Sequence, residues 1–204
     1  MNIENFIWEI CDDVLRGLFK QHEYGDIVLP FFVLRRLDCV QEDKKDEIVR
    51  LHNDLKDKFD DPSEIIHTKL KINFSNYSRY DLKRLVNEPS KINENLFEYL
   101  SSFSPNVQDI IQNFGLQKHI EKLDENNSLF ILIEKFSQVN LHPNVVDNHL
   151  MGTIFEELLR KFSEMSNETS GEHYTPRDIV QLLVALVFST EIDELSKPNK
   201  IVSL

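Results

Sequence analysis

The sequence predicts a mainly α chain, long enough for one larger domain or for one domain plus a fragment of a second. Three observations carry this. Apolar residues recur at three- and four-residue spacing along most of the chain. Only five glycines occur in 204 residues, with no hairpin turn dipeptides. Helix-start signals also recur, with Ser, Thr, Asp or Pro standing just ahead of apolar periodic runs.

Each element follows from this pattern. Ile3, Phe6, Ile7, Ile10, Val14 and Leu18 predict a first amphipathic helix. Gly25-Asp26 reads as a turn and cap before a second helix, with Pro30 in its first turn and Phe32, Val33, Arg36, Leu37 and Val40 continuing it. Residues 42–59 form a charged helix with a narrow stripe of Ile48, Leu51, Leu55 and Phe59. Asp61-Pro62-Ser63 breaks the chain, and Ser78 to Asp81 reads as a capping box. Pro89-Ser90 leads to Ile92, Leu96 and Leu100, and Ser104-Pro105 leads to Val107, Ile110, Ile111 and Phe114. Leu129–Phe136 fits a short strand through Ile131, Leu132 and Ile133, although flanking Glu134 and Lys135 favour a buried helix.

Composition narrows the functional classes. The chain is 41% apolar, enough for a core, and no run reaches the ~18 apolar residues of a membrane span. Asn2 and Glu4 stand where a signal peptide carries positive charge. Cys11 and Cys39 sit among apolar residues, which suits a reduced, cytoplasmic protein, and the seven scattered histidines (His142 and His149 included) suggest no metal site. A net charge of −12 and a pI near 5.0 argue against this segment gripping DNA alone. Arg35-Arg36 and Lys83-Arg84 read as solvated helix faces rather than DNA contacts. Most of the fourteen phenylalanines lie on apolar helix faces, so core packing accounts for them better than base stacking. Asp60, Asp61 and Glu64 lack the neighbouring lysine of a nuclease site and read as a solvated loop. No residue is assigned a catalytic role.

The most informative stretch is Gly171-Glu172-His173-Tyr174-Thr175-Pro176-Arg177. A polar, turn-rich segment passes into a helix, with Thr175 as N-cap, Pro176 at the first helical position and Asp178 three residues after the cap. Ile179, Leu182, Leu183, Leu186 and Val187 then share one face. Such a junction directs unbonded N–H groups and the positive end of a helix dipole at the loop, a setting that accepts a carboxylate or phosphate.

This loop resembles the segment ahead of the cofactor fold in adenine-N6 DNA methyltransferases, specifically the modification (M) subunit of type I restriction–modification systems. Met151-Gly152-Thr153-Ile154-Phe155-Glu156-Glu157-Leu158-Leu159 resembles that family's helix leading into the loop. Phe6-Ile7-Trp8, Cys11-Asp12-Asp13, Tyr24-Gly25-Asp26 and Leu29-Pro30-Phe31-Phe32-Val33-Leu34-Arg35-Arg36-Leu37-Asp38 resemble blocks of its N-terminal helical domain. The likeness is strongest over residues 3–40 and 149–188, and the middle of the chain is generic.

The resemblance implies an N-terminal helical bundle domain over residues 1–142. A linking helix and the start of an α/β methyltransferase domain would occupy 143–204, with an incipient strand at Lys200–Leu204. It implies S-adenosylmethionine as cofactor, with Glu172, His173, Tyr174, Thr175, Pro176 and Arg177 closing over its methionine portion; the family usually has Phe where His173 stands. It implies assembly with specificity and restriction subunits, a second M subunit and double-stranded DNA, and no membrane. Trp8, Arg35 and Asp38 fall in blocks read as structural before interfacial. The family's glycine-rich loop and Asn-Pro-Pro-aromatic motif are both missing, and no glycine follows Gly171. The expectation is therefore a truncated polypeptide, inactive alone. The alternative is a stand-alone helical interaction module without catalysis; a single-chain restriction–methylation enzyme is a further rival, though residues 1–140 show no nuclease-like region.

Overall fold

A computed structural model describes residues 3–166 and 177–188. Among these the structure is helical, with no strand beyond two isolated bridges. Helix α1 (Ile3–Ile10) widens into a π turn over Cys11–Leu15, where Arg16 N–H reaches Cys11 O at 2.8 Å. Gly17, at φ +83°, ends it, so the first helix is shorter than its apolar repeat predicts and Leu18 packs from beyond its end.

Helix α2 (Tyr24–Gln41) also departs from its predicted start. A 3₁₀ turn over Gln21–Glu23 precedes it, and Glu23 Oε2 accepts from Lys20 N–H at 2.7 Å. That cap lies upstream of Gly25-Asp26, which therefore belong to the first turn. Pro30 sits in the helix interior, seventh residue of α2, and not in the first turn. Its missing N–H leaves the carbonyl of exposed Asp26 without an intrahelical partner.

A 3₁₀ turn over Glu42–Lys44 precedes α3 (Lys45–Leu55), which packs on α4 (Ser63–Leu70). The two bury a small core of Ile48, Leu51, Ile66 and Leu70. Phe59 stands outside α3 and is exposed, because the helix ends at Leu55. Asp81 caps α5 (Leu82–Leu85) by accepting from Arg84 N–H at 2.8 Å, while Ser78 Oγ takes the N–H of Tyr80 in the turn before it. A 3₁₀ turn at Pro89–Lys91 opens α6 (Ile92–Ser101). Ser104 precedes α7 (Pro105–Asn113) without capping it. Its hydroxyl instead accepts from Ser75 N–H at 3.0 Å, tying two loops together.

Gly115, at φ +60°, turns α7 into α8 (Gln117–Glu125). The ambiguous run is helix α9 (Leu129–Gln138), burying Leu129, Leu132, Ile133 and Phe136 on one face. Phe136 stacks on Phe31 of α2 at 5.6 Å and meets Phe6 of α1 edge-on at 5.3 Å. This aromatic trio ties together helices from both ends of one core, which also takes in α5 and α6. Fewer of the periodic residues are internal along α7, where Ile110 is exposed.

Helix α10 (Asn148–Met165) is capped by Asp147, which accepts from Leu150 N–H at 2.8 Å. It runs antiparallel along α2, with Ile154, Leu158 and Phe162 added to the main core. Helix α11 (Arg177–Phe188) completes the described residues.

Candidate functional site

Helix α11 is described from Arg177 onward, and the expected N-cap Thr175 and first helical residue Pro176 lie outside the described residues. The first-turn N–H groups of a helix have no intrahelical acceptor, which is the donor arrangement a carboxylate needs. Glu172, His173, Tyr174, Thr175 and Pro176 lie outside the described residues, and only the backbone of Arg177 falls within them. Ile179, Leu182 and Leu183, predicted to share one face, are each about half exposed, as are Val180 and Val184.

The described part of the junction is the stretch that carries the chain from α9 to α10, and two arginines hold it. Arg35 Nε donates to Val139 O at 2.7 Å. Arg36 Nη1 donates to Leu141 O and to Val146 O (2.6 Å for the latter), and its Nη2 donates to Asn148 Oδ1 at 3.0 Å. Both arginines are buried, so the expected solvated pair is a correction. The reason lies in the helix around them. Consecutive helical residues point about 100° apart, and Phe31, Phe32, Leu34 and Cys39 are all fully buried on the same helix. The outer stripe of α2 runs through Asp26, Val33, Leu37 and Val40, and Arg35 and Arg36 fall off it, toward the packed side. They are stable inside because backbone carbonyls accept their protons.

Lys83 and Arg84 behave as the sequence predicts. Lys83 Nζ pairs with Glu42 at 2.6 Å and Arg84 with Asp46 at 2.7 Å, on partly exposed side chains. Lys83→Ala is expected to change stability by less than about 1 kcal/mol, measured by chemical denaturation.

Below Arg35 lies a polar cluster that motif reading treats only as structure. Asp38 accepts from Leu82 N–H and from the Tyr99 hydroxyl, both at 2.8 Å. Loss of water raises the Asp38 carboxyl to about 6, against the opposing pull of those hydrogen bonds. The same enclosure lowers Lys45 to about 8; its ammonium donates to Asn76 Oδ1 at 2.8 Å. A cavity of about 20 Å³ is lined by Arg35, Asp38, Gln41, Glu42, Lys45, Asp81 and Lys83, room for roughly one water. Asp38 and Arg35 therefore serve packing and hydrogen bonding, as expected. Trp8 does not: it is 43% exposed on the outer side of α1.

Desolvation raises Cys11 to about 12 and also raises Cys39, and both thiols are free and buried. Asp61 Oδ1 accepts from Ser63 N–H at 2.9 Å, a turn contact. His142 Nδ1 accepts from Asn144 N–H at 3.2 Å, and among the described residues no group of three or more metal-ligating side chains gathers. None of the helices among them is long and apolar enough to cross a membrane.

The described residues form a helical fold around one main core and a smaller second one. The chain belongs to the HsdM N-terminal domain family, which matches residues 3–136. The N-6 DNA Methylase family matches residues 146–201. In that order these are the N-terminal part of a type I restriction–modification M subunit. Among curated proteins, the chain is similar to the type I restriction enzyme MjaIX methylase subunit of Methanocaldococcus jannaschii. Identity is 24% over 200 residues, covering 89% of this chain and 34% of the relative. The chain thus spans about a third of that relative's length. No solved structure matches it.

Proposed function

We propose that the chain is the N-terminal part of a subunit that transfers a methyl group from S-adenosylmethionine to the N6 amino group of adenine in DNA. The observation that carries this is the pair of family matches, helical domain then methylase, in that order along one chain. In this reading residues 1–142 are the helical domain, and 143–204 are the linking helix and the start of the methyltransferase domain.

Bound S-adenosylmethionine supplies an electrophilic methyl group on sulfur. The chain's own contribution is the Glu172–Arg177 segment. Thr175 and the first N–H groups of α11 receive the cofactor carboxylate, and Tyr174 packs on its apolar part. Glu172, His173, Pro176 and Arg177 complete the covering segment. A helix that follows this segment in the chain, described from Arg177, supports the reading, because helix N-termini carry unbonded N–H donors.

The partners in this reading are a specificity subunit, a restriction subunit, a second M subunit and double-stranded DNA, in the cytoplasm. The charge of −12 fits a division of labour in which another subunit reads the sequence and this surface makes mostly protein contacts. Exposed Trp8 is a candidate for such a contact.

Calorimetric titration of the full-length subunit with S-adenosylmethionine tests the site. Thr175→Ala and Tyr174→Ala are expected to weaken binding about tenfold, roughly 1.4 kcal/mol. Unchanged affinity in both variants would overturn the assignment. A polypeptide of residues 1–204 is expected to give little heat and no methyl transfer, since the glycine-rich and Asn-Pro-Pro-aromatic motifs are absent from its sequence.

A further inference from the structure

Helix α10 meets α2 at both ends. At one end Arg36 holds Val146 O and Asn148 Oδ1, fixing the first turn of α10 and the stretch of chain before it. At the other, Gly25 faces Phe162 so closely that a Cβ built on it stands 3.4 Å from Phe162 Cβ and 3.5 Å from Cγ. Between them Ile154 and Leu158 are buried in the main core. Two fixed points on one helix, at Asn148 and Phe162, set its register, its rotation about its own axis and its tilt. Met165, its last residue, stands seven positions before Glu172 in the chain.

We infer that Gly25 and Arg36 are positioning residues for methyl transfer, holding α10 as a rigid arm that sets where the methyltransferase unit stands relative to the helical domain. This rests on the reading of the chain given under Proposed function. Methyl transfer needs the adenine and the methyl group aligned, and small misplacements of aligned groups cost large factors in rate. The cofactor site is built from residues that follow α10, so moving the arm alters alignment with DNA and leaves the cofactor contacts intact. Neither residue touches substrate in this scheme.

The two ends differ in how they are tested. Gly25 lies in the first turn of α2 and is only partly buried. A methyl group there is in ordinary contact, so Gly25→Ala keeps the arm in place. A leucine extends from a Cβ already in contact with Phe162 and is expected to wedge α10 away from α2.

The experiment uses the full-length subunit assembled with its specificity subunit. It compares Gly25→Ala, Gly25→Leu, Gly25→Leu with Phe162→Ala, and Arg36→Lys. Spin-label distances between α6 and α10 report the arm, calorimetry reports S-adenosylmethionine affinity, and steady-state kinetics report methylation. Gly25→Ala is expected to match the parent in all three. Gly25→Leu and Arg36→Lys are expected to shift the distance and lower kcat/KM for DNA about 10- to 100-fold, with cofactor affinity unchanged within about twofold. In the double variant the Phe162 ring is gone and the wedge has room, so both distance and rate are expected to recover.

A displaced arm with unaltered methylation would overturn the inference. So would an arm that stays in place in Gly25→Leu, or a loss of cofactor affinity in step with rate. Failure of the Thr175 and Tyr174 variants to weaken cofactor binding would instead strike the underlying assignment, so the two failures are told apart.

Discussion

Replacing Arg36 with Met is expected to destabilise the helical domain by about 3–5 kcal/mol. The side chain is buried and its guanidinium serves Leu141 O, Val146 O and Asn148 Oδ1 together. Methionine fills a similar length but donates nothing, leaving those acceptors enclosed without partners. Hydrogen bonds from a charged donor contribute about 1.5–3 kcal/mol each, and an orphaned buried acceptor costs about as much as the bond it lost. The sum is not additive, because partial rearrangement lets water reach some of the carbonyls. Thermal unfolding should show a fall in Tm of about 6–20 °C for a domain of this size. Hydrogen exchange should locate the loosening at residues 141–148, since Arg36 bonds that stretch. A Tm within about 2 °C of the parent would show that the acceptors find other donors at little cost.

Replacing Asp38 with Ala is expected to cost about 2–4 kcal/mol, by leaving the Leu82 N–H and the Tyr99 hydroxyl without an acceptor. Leu82 opens α5 and Tyr99 lies in α6, so the carboxylate of α2 joins three helices. Its titration carries a further signature. The folded carboxyl ionises near 6 and the unfolded one near 3.8, so between these values the native state holds more protons. Stability from this group is therefore present below about pH 3.8 and is lost as pH rises through about 6. The window spans about two pH units, worth up to roughly 3 kcal/mol. Asp38 keeps some solvent exposure through the small cavity, which lowers the amplitude.

Other carboxylates pull the opposite way over the lower part of that range. Glu23, Glu42, Asp61 and Glu157 all ionise more readily than usual, held by hydrogen bonds and by neighbouring lysine, arginine or histidine. The comparison that isolates Asp38 is therefore the difference between the parent and Asp38→Asn, measured by denaturant unfolding at pH 4, 5, 6 and 7. The parent should lose ground to the variant as pH rises from 4 to 6 and hold a constant gap above that. A gap independent of pH would show that the Asp38 carboxyl ionises alike in the folded and unfolded chains.

Much of the fold is written in local periodicity. The 3.6-residue repeat finds α3 and α6, because each buries one stripe that can be read without knowing its partner, whereas the short apolar run of α9 fits a strand as well as a helix. Boundaries are less legible. α1 stops early because a backbone bond to Cys11 O and the positive φ of Gly17 intervene, and α2 starts early because Lys20 and Glu23 close a turn ahead of it. Ser104 shows a different limit. Its side chain is a cap by type, but Ser75, 29 residues away, claims it.

The cofactor segment is the reverse case. Glu172 to Arg177 stands out in sequence through its wording, while within the described residues only the start of α11 bears on it. A clue to the arginines also lies in the sequence, as two cations inside an almost wholly apolar helix. Their composition signals burial, but nothing local names the acceptors.

Repeat spacing and local motifs are enough to establish a helical protein and membership among type I M subunits. Those properties can be read within a few residues of each other. Tertiary packing alone puts Arg35 and Arg36 inside, makes Asp38 join three helices, and pins α10 along α2. The hydrogen bonds behind these features link residues 44 to 112 positions apart, and a bond across that distance leaves no period in the sequence to read.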